Sequence, residues 1–211
     1  MLKEEALKYM GHRGQELTPI MEQALDECIL EVKQYGNFKA VTKQFSLSHS
    51  PLKIDELEIE LDYEDIKTYF EGCTSCIVIA CTLGIGLERR IKYWSKVNMS
   101  RSVMMDAVAS AYLEECCDQY EATLDLKERT YRFAPGYGDL PLGLNIPLGN
   151  ALNISKVIGV SRTRSGLFLP QKSMLGLIGI GTENLKRSCG NCIRREQCEL
   201  RKEGLRCYKT D

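Results

Sequence analysis

The sequence predicts an α+β fold, and three observations carry that prediction. Two long stretches, residues 19–35 and 100–122, place apolar residues at helical spacing. A short unbroken apolar run, Cys76-Ile77-Val78-Ile79-Ala80-Cys81, has the length of a buried strand rather than a helix. The helices and strands then follow one another without the regular β-α alternation of a parallel sheet.

Each element has its own signal. Thr18-Pro19 reads as an N-cap followed by proline at the first helical position. Ile20, Met21, Ala24, Leu25, Cys28, Ile29 and Val32 form the apolar face, and Gly36 stops the helix. Residues 38–45 read as a strand. Leu57, Ile59 and Leu61 alternate with acids, the pattern of a half-buried strand. Asp62 is placed to cap a short helix ending near Glu71. After the buried strand, Leu83-Gly84-Ile85-Gly86 leads into a helix through Val97. The next helix, residues 100–122, turns Val103, Met104, Ala107, Val108, Ala111, Tyr112 and Leu113 inward. Glycine and proline then crowd residues 135–147. A short helix is expected over residues 148–153, and strands from Val157 to Ile180.

The chain has 211 residues and ten cysteines. At about 150 residues per domain, one domain with an appendage is the simplest arrangement: a body over residues 1–185 and a tail over 186–211. A body of this length buries roughly 70% of its extended-chain surface and needs no disulfide staples. Lys and Arg number 28 against 29 Asp and Glu, which gives no reason to expect nucleic acid or a membrane as partner. Charges at Lys3, Glu4 and Glu5 stand where a signal peptide needs its apolar core, so a cytoplasmic protein with reduced thiols is expected.

Four of the cysteines, Cys189, Cys192, Cys198 and Cys207, have the spacing C-x2-C-x5-C-x8-C in a polar tail. A C-x2-C pair across Gly190-Asn191 converges on one metal, and two more thiolates close a four-coordinate site. Zinc and an iron–sulfur cluster both suit four thiolates. The tail from Lys186 carries eight Lys or Arg and four Asp or Glu, a local charge of +4 that suits an anionic thiolate site or an acidic partner. The other six cysteines, Cys28, Cys73, Cys76, Cys81, Cys116 and Cys117, read mainly as small buried hydrophobes, with Cys73-x2-Cys76 open to another role. Gly84-Ile85-Gly86 and Gly179-Ile180-Gly181 read as turn and sheet glycines. His12 and His49 stand apart from other ligand-type residues. Lys172, Arg162 and Arg164 form a basic strip suited to a phosphate or to solvent.

The most specific feature of the body is Arg132-Phe133-Ala134-Pro135-Gly136-Tyr137. Pro135-Gly136 turns the chain, Gly136 permits close backbone approach, and the planar fork of Arg132 matches a carboxylate. Read from these residues alone, the segment is an ordinary turn with a surface arginine. Arg132-x-x-x-Gly136-Tyr137 with Pro141 beyond resembles the R-x-x-x-G-Y motif of the activation domain of cobalamin-dependent methionine synthase, and of its free-standing versions above all. Gly159 to Pro170 resembles that domain's G-x-x-L-T-E-S segment, with Ser173 and Gly176 in register. Thr82-Leu83-Gly84 and Met105 to Ala111 are similar to its middle region.

The resemblance implies a C-shaped single domain with a mostly antiparallel twisted sheet flanked by helices. It implies S-adenosylmethionine bound by Arg132, Ala134, Pro135, Gly136 and Tyr137, with Arg132 on the methionyl carboxylate and no catalytic residue in this chain. The cobalamin (vitamin B12) sits on a partner, the cobalamin-binding subunit of methionine synthase or another corrinoid protein. The resemblance further implies flavodoxin or ferredoxin as the electron donor for reductive remethylation, with the chain acting in trans within a methyltransferase of methionine biosynthesis. Five departures stand against it. A second acid expected before Arg132 has only Asp125 and Glu128 nearby, and the amino-terminal aromatic-acid ligand motif is missing. Gly138-Asp139-Leu140-Pro141-Leu142 replaces an A-C-P-D-H-like stretch, Arg164 replaces the Glu of T-E-S, and the acid that holds the ligand's ammonium falls at Ser110. Asp106, Glu114 and Asp139 are the candidate substitutes. The rival expectation is a metal-bearing adaptor or electron-transfer module that keeps the fold without S-adenosylmethionine.

Overall fold

A computed structural model describes residues 2–181, 196, 198–202 and 204 of the chain. Its elements follow in the order α1 (Leu2–Tyr9), α2 (Pro19–Tyr35), β1 (Lys39–His49), β2 (Leu52–Ile54), a 3-10 turn (Asp55–Leu57), β3 (Ile59–Glu60), α3 (Glu64–Tyr69), β4 (Ser75–Thr82), α4 (Gly84–Val97) and α5 (Met99–Ala122). A second 3-10 turn (Leu142–Leu144), α6 (Asn145–Ala151), α7 (Ile154–Val157), β5 (Ser161–Arg162), β6 (Phe168–Leu169), β7 (Ser173–Ile180) and α8 (Glu199–Lys202) complete them. Five strands form one sheet in the order β3-β2-β1-β4-β7, and β5 pairs with β6 in a separate hairpin. The five-stranded sheet is antiparallel. Leu47 bonds back to Thr74 and Asn37 to Leu83, while Thr74 meets Ile180 and Leu83 meets Lys172. The α+β expectation therefore holds, with an antiparallel sheet.

The chain falls into two compact units. One comprises Met1–Thr42, Ala80–Asp125 and Asn145–Leu175; the other comprises Lys43–Ile79, Leu126–Leu144 and Gly176–Asp211. In the first unit α5 packs against α1, α2 and α4. Being enclosed on several sides, α5 buries Met105, Ala107, Val108, Ala109, Ala111 and Leu113, and also the adjacent Cys116 and Cys117 that no single helical face could hold. In the second unit Phe45, Leu47, Leu52, Ile54, Leu61, Ile66 and Phe70 make the core. All six cysteines of the body are buried and free. Burial pushes the Cys76 thiol up to about 12 and the Cys28 thiol up to about 11, so neither is a reactive thiolate.

Several boundaries differ from the sequence reading for physical reasons. The two-turn helix α1 had no sequence signal beyond Leu2 and Ala6, which it buries one helical turn apart. The half-buried alternation from Leu57 to Leu61 is real, but only Ile59–Glu60 is extended; Glu58 is left-handed at φ 54° and ends a 3-10 turn. Asp62 does not cap α3; its carboxylate pairs with Lys67 instead. The helix expected over residues 148–153 starts earlier as α6. Val157 ends α7 rather than opening a strand, because Asn153 turns left-handed at φ 51° and restarts the helix.

One buried acid organises the first unit. Glu31 on α2 accepts from Trp94 Nε1 at 2.8 Å and from Arg101 Nη2 at 2.8 Å, and it is paired with Arg90. Arg101 also reaches Glu27 at 2.8 Å and lies 4.4 Å from the Trp94 ring centroid. Burial raises the Glu31 carboxyl's affinity for a proton. The hydrogen bonds from Trp94, Arg101 and Arg90 outweigh that and hold it below the usual carboxylate range. A depressed folded-state value contributes stability above the unfolded value, near pH 4, and that stability is lost as pH falls through the folded one. The thermal midpoint should therefore fall on acidification, and Glu31→Gln should flatten that dependence. At neutral pH Glu31→Gln should cost about 3 kcal/mol in denaturant titrations, since two guanidinium groups lose their counter-charge.

Candidate functional site

The loop singled out in the sequence is positioned by β7. Residues 128–133 run antiparallel beside that strand. Phe133 and Leu177 exchange both backbone hydrogen bonds, at 2.8 and 2.7 Å, Thr130 N–H donates to Gly179 at 2.9 Å, and Gly181 N–H donates to Glu128. This register buries the Phe133 side chain and sends its neighbour Arg132 to the opposite face. There the Arg132 side chain lies across Gly176. A Cβ at 176 would overlap Arg132 Cγ, stand 2.9 Å from Cδ and meet the Phe133 carbonyl at 3.4 Å. Gly176 is therefore bare because Arg132 covers it.

Beyond Phe133 the chain makes a tight turn. Tyr137 N–H donates to Ala134 at 3.0 Å, Leu140 N–H to Tyr137 at 3.0 Å, and Gly136 N–H to Leu140 at 2.8 Å. Gly136 has φ +95°, a conformation that favours glycine, and a Cβ added there would meet Leu142 Cδ1 at 3.3 Å. Pro135 is buried, Ala134 is half-buried, and the Tyr137 ring is 59% exposed. Arg132, Ala134, Pro135, Gly136 and Tyr137 are thus brought together in one anchored turn. The turn carries a half-buried arginine, an exposed Gly136 and an exposed aromatic ring. A small ligand with a carboxylate and a planar group fits this chemistry.

The remaining candidates fall elsewhere. Asp139 faces the first turn of α3, where it accepts from the Glu64 and Asp65 amides at 2.7 and 3.3 Å. In the first unit the Lys172 side chain is 13% exposed, and its ammonium is held by Asp106 at 2.9 Å and by the Ser110 hydroxyl at 2.8 Å. Asp106 therefore already has a cation, and Ser110 serves a lysine. Arg162 donates to the Ile146 carbonyl at 3.1 Å and to Asn150 Oδ1 at 2.6 Å, tying the β5–β6 hairpin to α6. Two members of the expected basic strip are consequently internal anchors, and Arg164 is exposed in the hairpin turn. Nothing local to Lys172 signals that it reaches Ser110 on α5, 62 residues away.

Of the expected four-cysteine metal site, Cys189, Cys192 and Cys207 lie outside the described residues, and Cys198 is half-buried. Among the described residues no group of three or more His, Cys, Asp or Glu could hold a metal ion. No helix among them is long and apolar enough to cross a membrane.

The Arg132–Gly176 contact is open to a direct check. Gly176→Ala should destabilise the protein by about 1–3 kcal/mol through overpacking against Arg132. The cost should shrink when the same substitution is made in an Arg132→Ala background, as measured by a double-mutant cycle in denaturant.

No family model matches the chain, and no curated protein matches it. Thirteen chains of solved structures do. One is described as the "Crystal Structure of the MetH Reactivation Domain bound to AdoHcy". The likeness has a TM-score of 0.60 and 13% sequence identity, covering 97% of this chain and 83% of that one. At that identity the chain shares its fold with the reactivation domain.

Proposed function

We propose that this chain binds S-adenosylmethionine at the Arg132–Tyr137 turn and acts in trans in the reductive remethylation of cobalamin on a corrinoid-dependent methyltransferase, methionine synthase first among them. The observation that carries the reading is the fold likeness over 97% of the chain to a reactivation domain solved with AdoHcy. The R-x-x-x-G-Y segment supports it, being held as one turn on the flank of β7. S-adenosylmethionine held at this turn would supply the methyl group to a reduced cobalamin on the partner and leave as S-adenosylhomocysteine. This chain's own residues bind and orient. Arg132 offers its fork to the ligand carboxylate, the backbone of Ala134 to Gly136 packs against the ligand, and the Tyr137 ring covers it. No side chain here needs to act as acid or base. The electron comes from a flavodoxin- or ferredoxin-type donor.

A second reading is favoured by one observation. At residue 110 the resemblance expects an acid for the ligand's ammonium, and the Ser110 hydroxyl is instead bonded to Lys172. On that reading the fold is retained without S-adenosylmethionine, and the chain is a metal-bearing adaptor or electron-transfer module built on Cys189, Cys192, Cys198 and Cys207.

Titration calorimetry of the full chain with S-adenosylmethionine separates the two. The first reading expects saturable binding that Arg132→Ala weakens by roughly 30-fold, the loss of a charge-assisted bidentate contact. Wild-type protein that takes up no ligand would exclude it. Metal analysis and a visible spectrum of anaerobically purified protein test the tail. Bound iron with a charge-transfer band, lost in a Cys189→Ser/Cys192→Ser variant, is the outcome the electron-transfer reading requires. Colourless protein with one zinc removes that role.

A further inference from the structure

The turn that carries Gly136 and Tyr137 is gripped at both ends by one short helix. At its upstream end, Tyr69 of α3 donates its hydroxyl to the Tyr131 carbonyl at 2.9 Å. The Tyr69 ring stacks edge-on against Tyr131 at 4.9 Å and lies 5.0 Å from Phe133. At the downstream end the grip is reciprocal. The Asp139 carboxylate accepts from the Glu64 and Asp65 amides, and the Asp65 carboxylate accepts the Asp139 amide at 3.0 Å. Asp65 and Tyr69 are four residues apart, so they lie on one face of α3. The approach is so close that a Cβ at Gly138 would overlap Asp65 Oδ2, and Gly138 also has φ +55°. The anchor itself is firm: Ile66, Tyr69 and Phe70 are buried.

We propose that Asp65 and Asp139 form a clamp, closed through Gly138, that positions the Ala134–Tyr137 turn for its ligand. The proposal rests on the reading that this turn binds S-adenosylmethionine. Neither carboxylate touches the ligand. Both are positioning residues, acting through α3 and the backbone of Gly138. The gain is preorganisation: a turn already held in one conformation loses less freedom when the ligand arrives. The same contacts account for the one stretch after Gly136-Tyr137 that departs from the activation-domain motif, since Gly138-Asp139 has this separate task.

The test uses the full chain and two readouts: hydrogen–deuterium exchange of residues 134–142 without ligand, and the dissociation constant for S-adenosylmethionine by calorimetry. Asp139→Ala should speed exchange across the turn and weaken binding, each by about five- to tenfold, the usual effect of losing a capping carboxylate. Asp139→Asn keeps an acceptor for the α3 amides and should restore most of both. Gly138→Ala leaves both carboxylates in place but blocks their approach. It should reproduce the Asp139→Ala effects and stands in should that variant not fold. Arg132→Ala should weaken binding with no change in exchange. Exchange and affinity both unchanged in Asp139→Ala and Gly138→Ala would overturn the clamp, and so would faster exchange with unchanged affinity. Wild-type protein that fails to bind S-adenosylmethionine sinks the reading of the turn, and the exchange comparison then decides the clamp alone.

Discussion

The second unit depends on the pairing of residues 128–133 with β7. Two hydrogen bonds between Phe133 and Leu177 and one from Thr130 to Gly179 set a register that has only two outcomes for each side chain. With Phe133 in the core, Arg132 must stand on the other face. Gly176 stands on that face too, and its missing side chain leaves room for the aliphatic stem of Arg132 to lie flat. Slipping the pairing by one residue would bury the guanidinium without a partner and expose the Phe133 ring. The cost of each would be large, so the register, and with it the place of Arg132, is strongly specified.

Helix α3 extends that logic from a strand pair to a turn. Six residues cannot hold a helix in water by propensity, because nucleation is unfavourable. Here α3 is stabilised by burial of Ile66 and Tyr69 and by an N-terminal cap borrowed from Asp139. The dependence runs both ways. The turn lends α3 its missing acceptor, and α3 holds the turn through Tyr69 and Asp65. In the first unit the equivalent anchor is Glu31, whose partners on α4 and α5 converge on one carboxylate and surround the single tryptophan.

What could be read from the sequence follows the distance over which each signal acts. Helix α2 was legible because Thr18, Pro19 and Gly36 lie within its own span; Thr18 Oγ1 does accept from Met21. Helix α5 was legible in extent, and its burial was not: three neighbouring helices enclose it, so Cys116 and Cys117 are both inside. The cap of α3 is not legible near the helix, because the carboxylate that accepts from the Glu64 amide belongs to Asp139, 75 residues away. The turn from Arg132 to Tyr137 stood out as a motif, but the reasons it sits where it does are Gly176 and Asp65, which only the tertiary pairing brings to it. Distance hides Asp106 and Ser110, the partners of Lys172, in the same way.

The departures from the activation-domain pattern do not weigh alike. A ligand resting on the backbone of Ala134 to Gly136 needs those atoms in place and is indifferent to which side chains hold them there. On the proposed reading, Gly138-Asp139 after Tyr137 changes what holds the turn and not the backbone atoms that would meet the ligand. Ser110 is a different kind of change. It removes a charge, and Asp106, one helical turn before it, is already paired with Lys172 at 2.9 Å. Backbone support can be exchanged between residue sets at little cost, whereas an ammonium without an anion must keep its water or find carbonyl oxygens. On the proposed reading the chain therefore contributes geometry through the Arg132 turn, whereas α5 carries no carboxylate at residue 110.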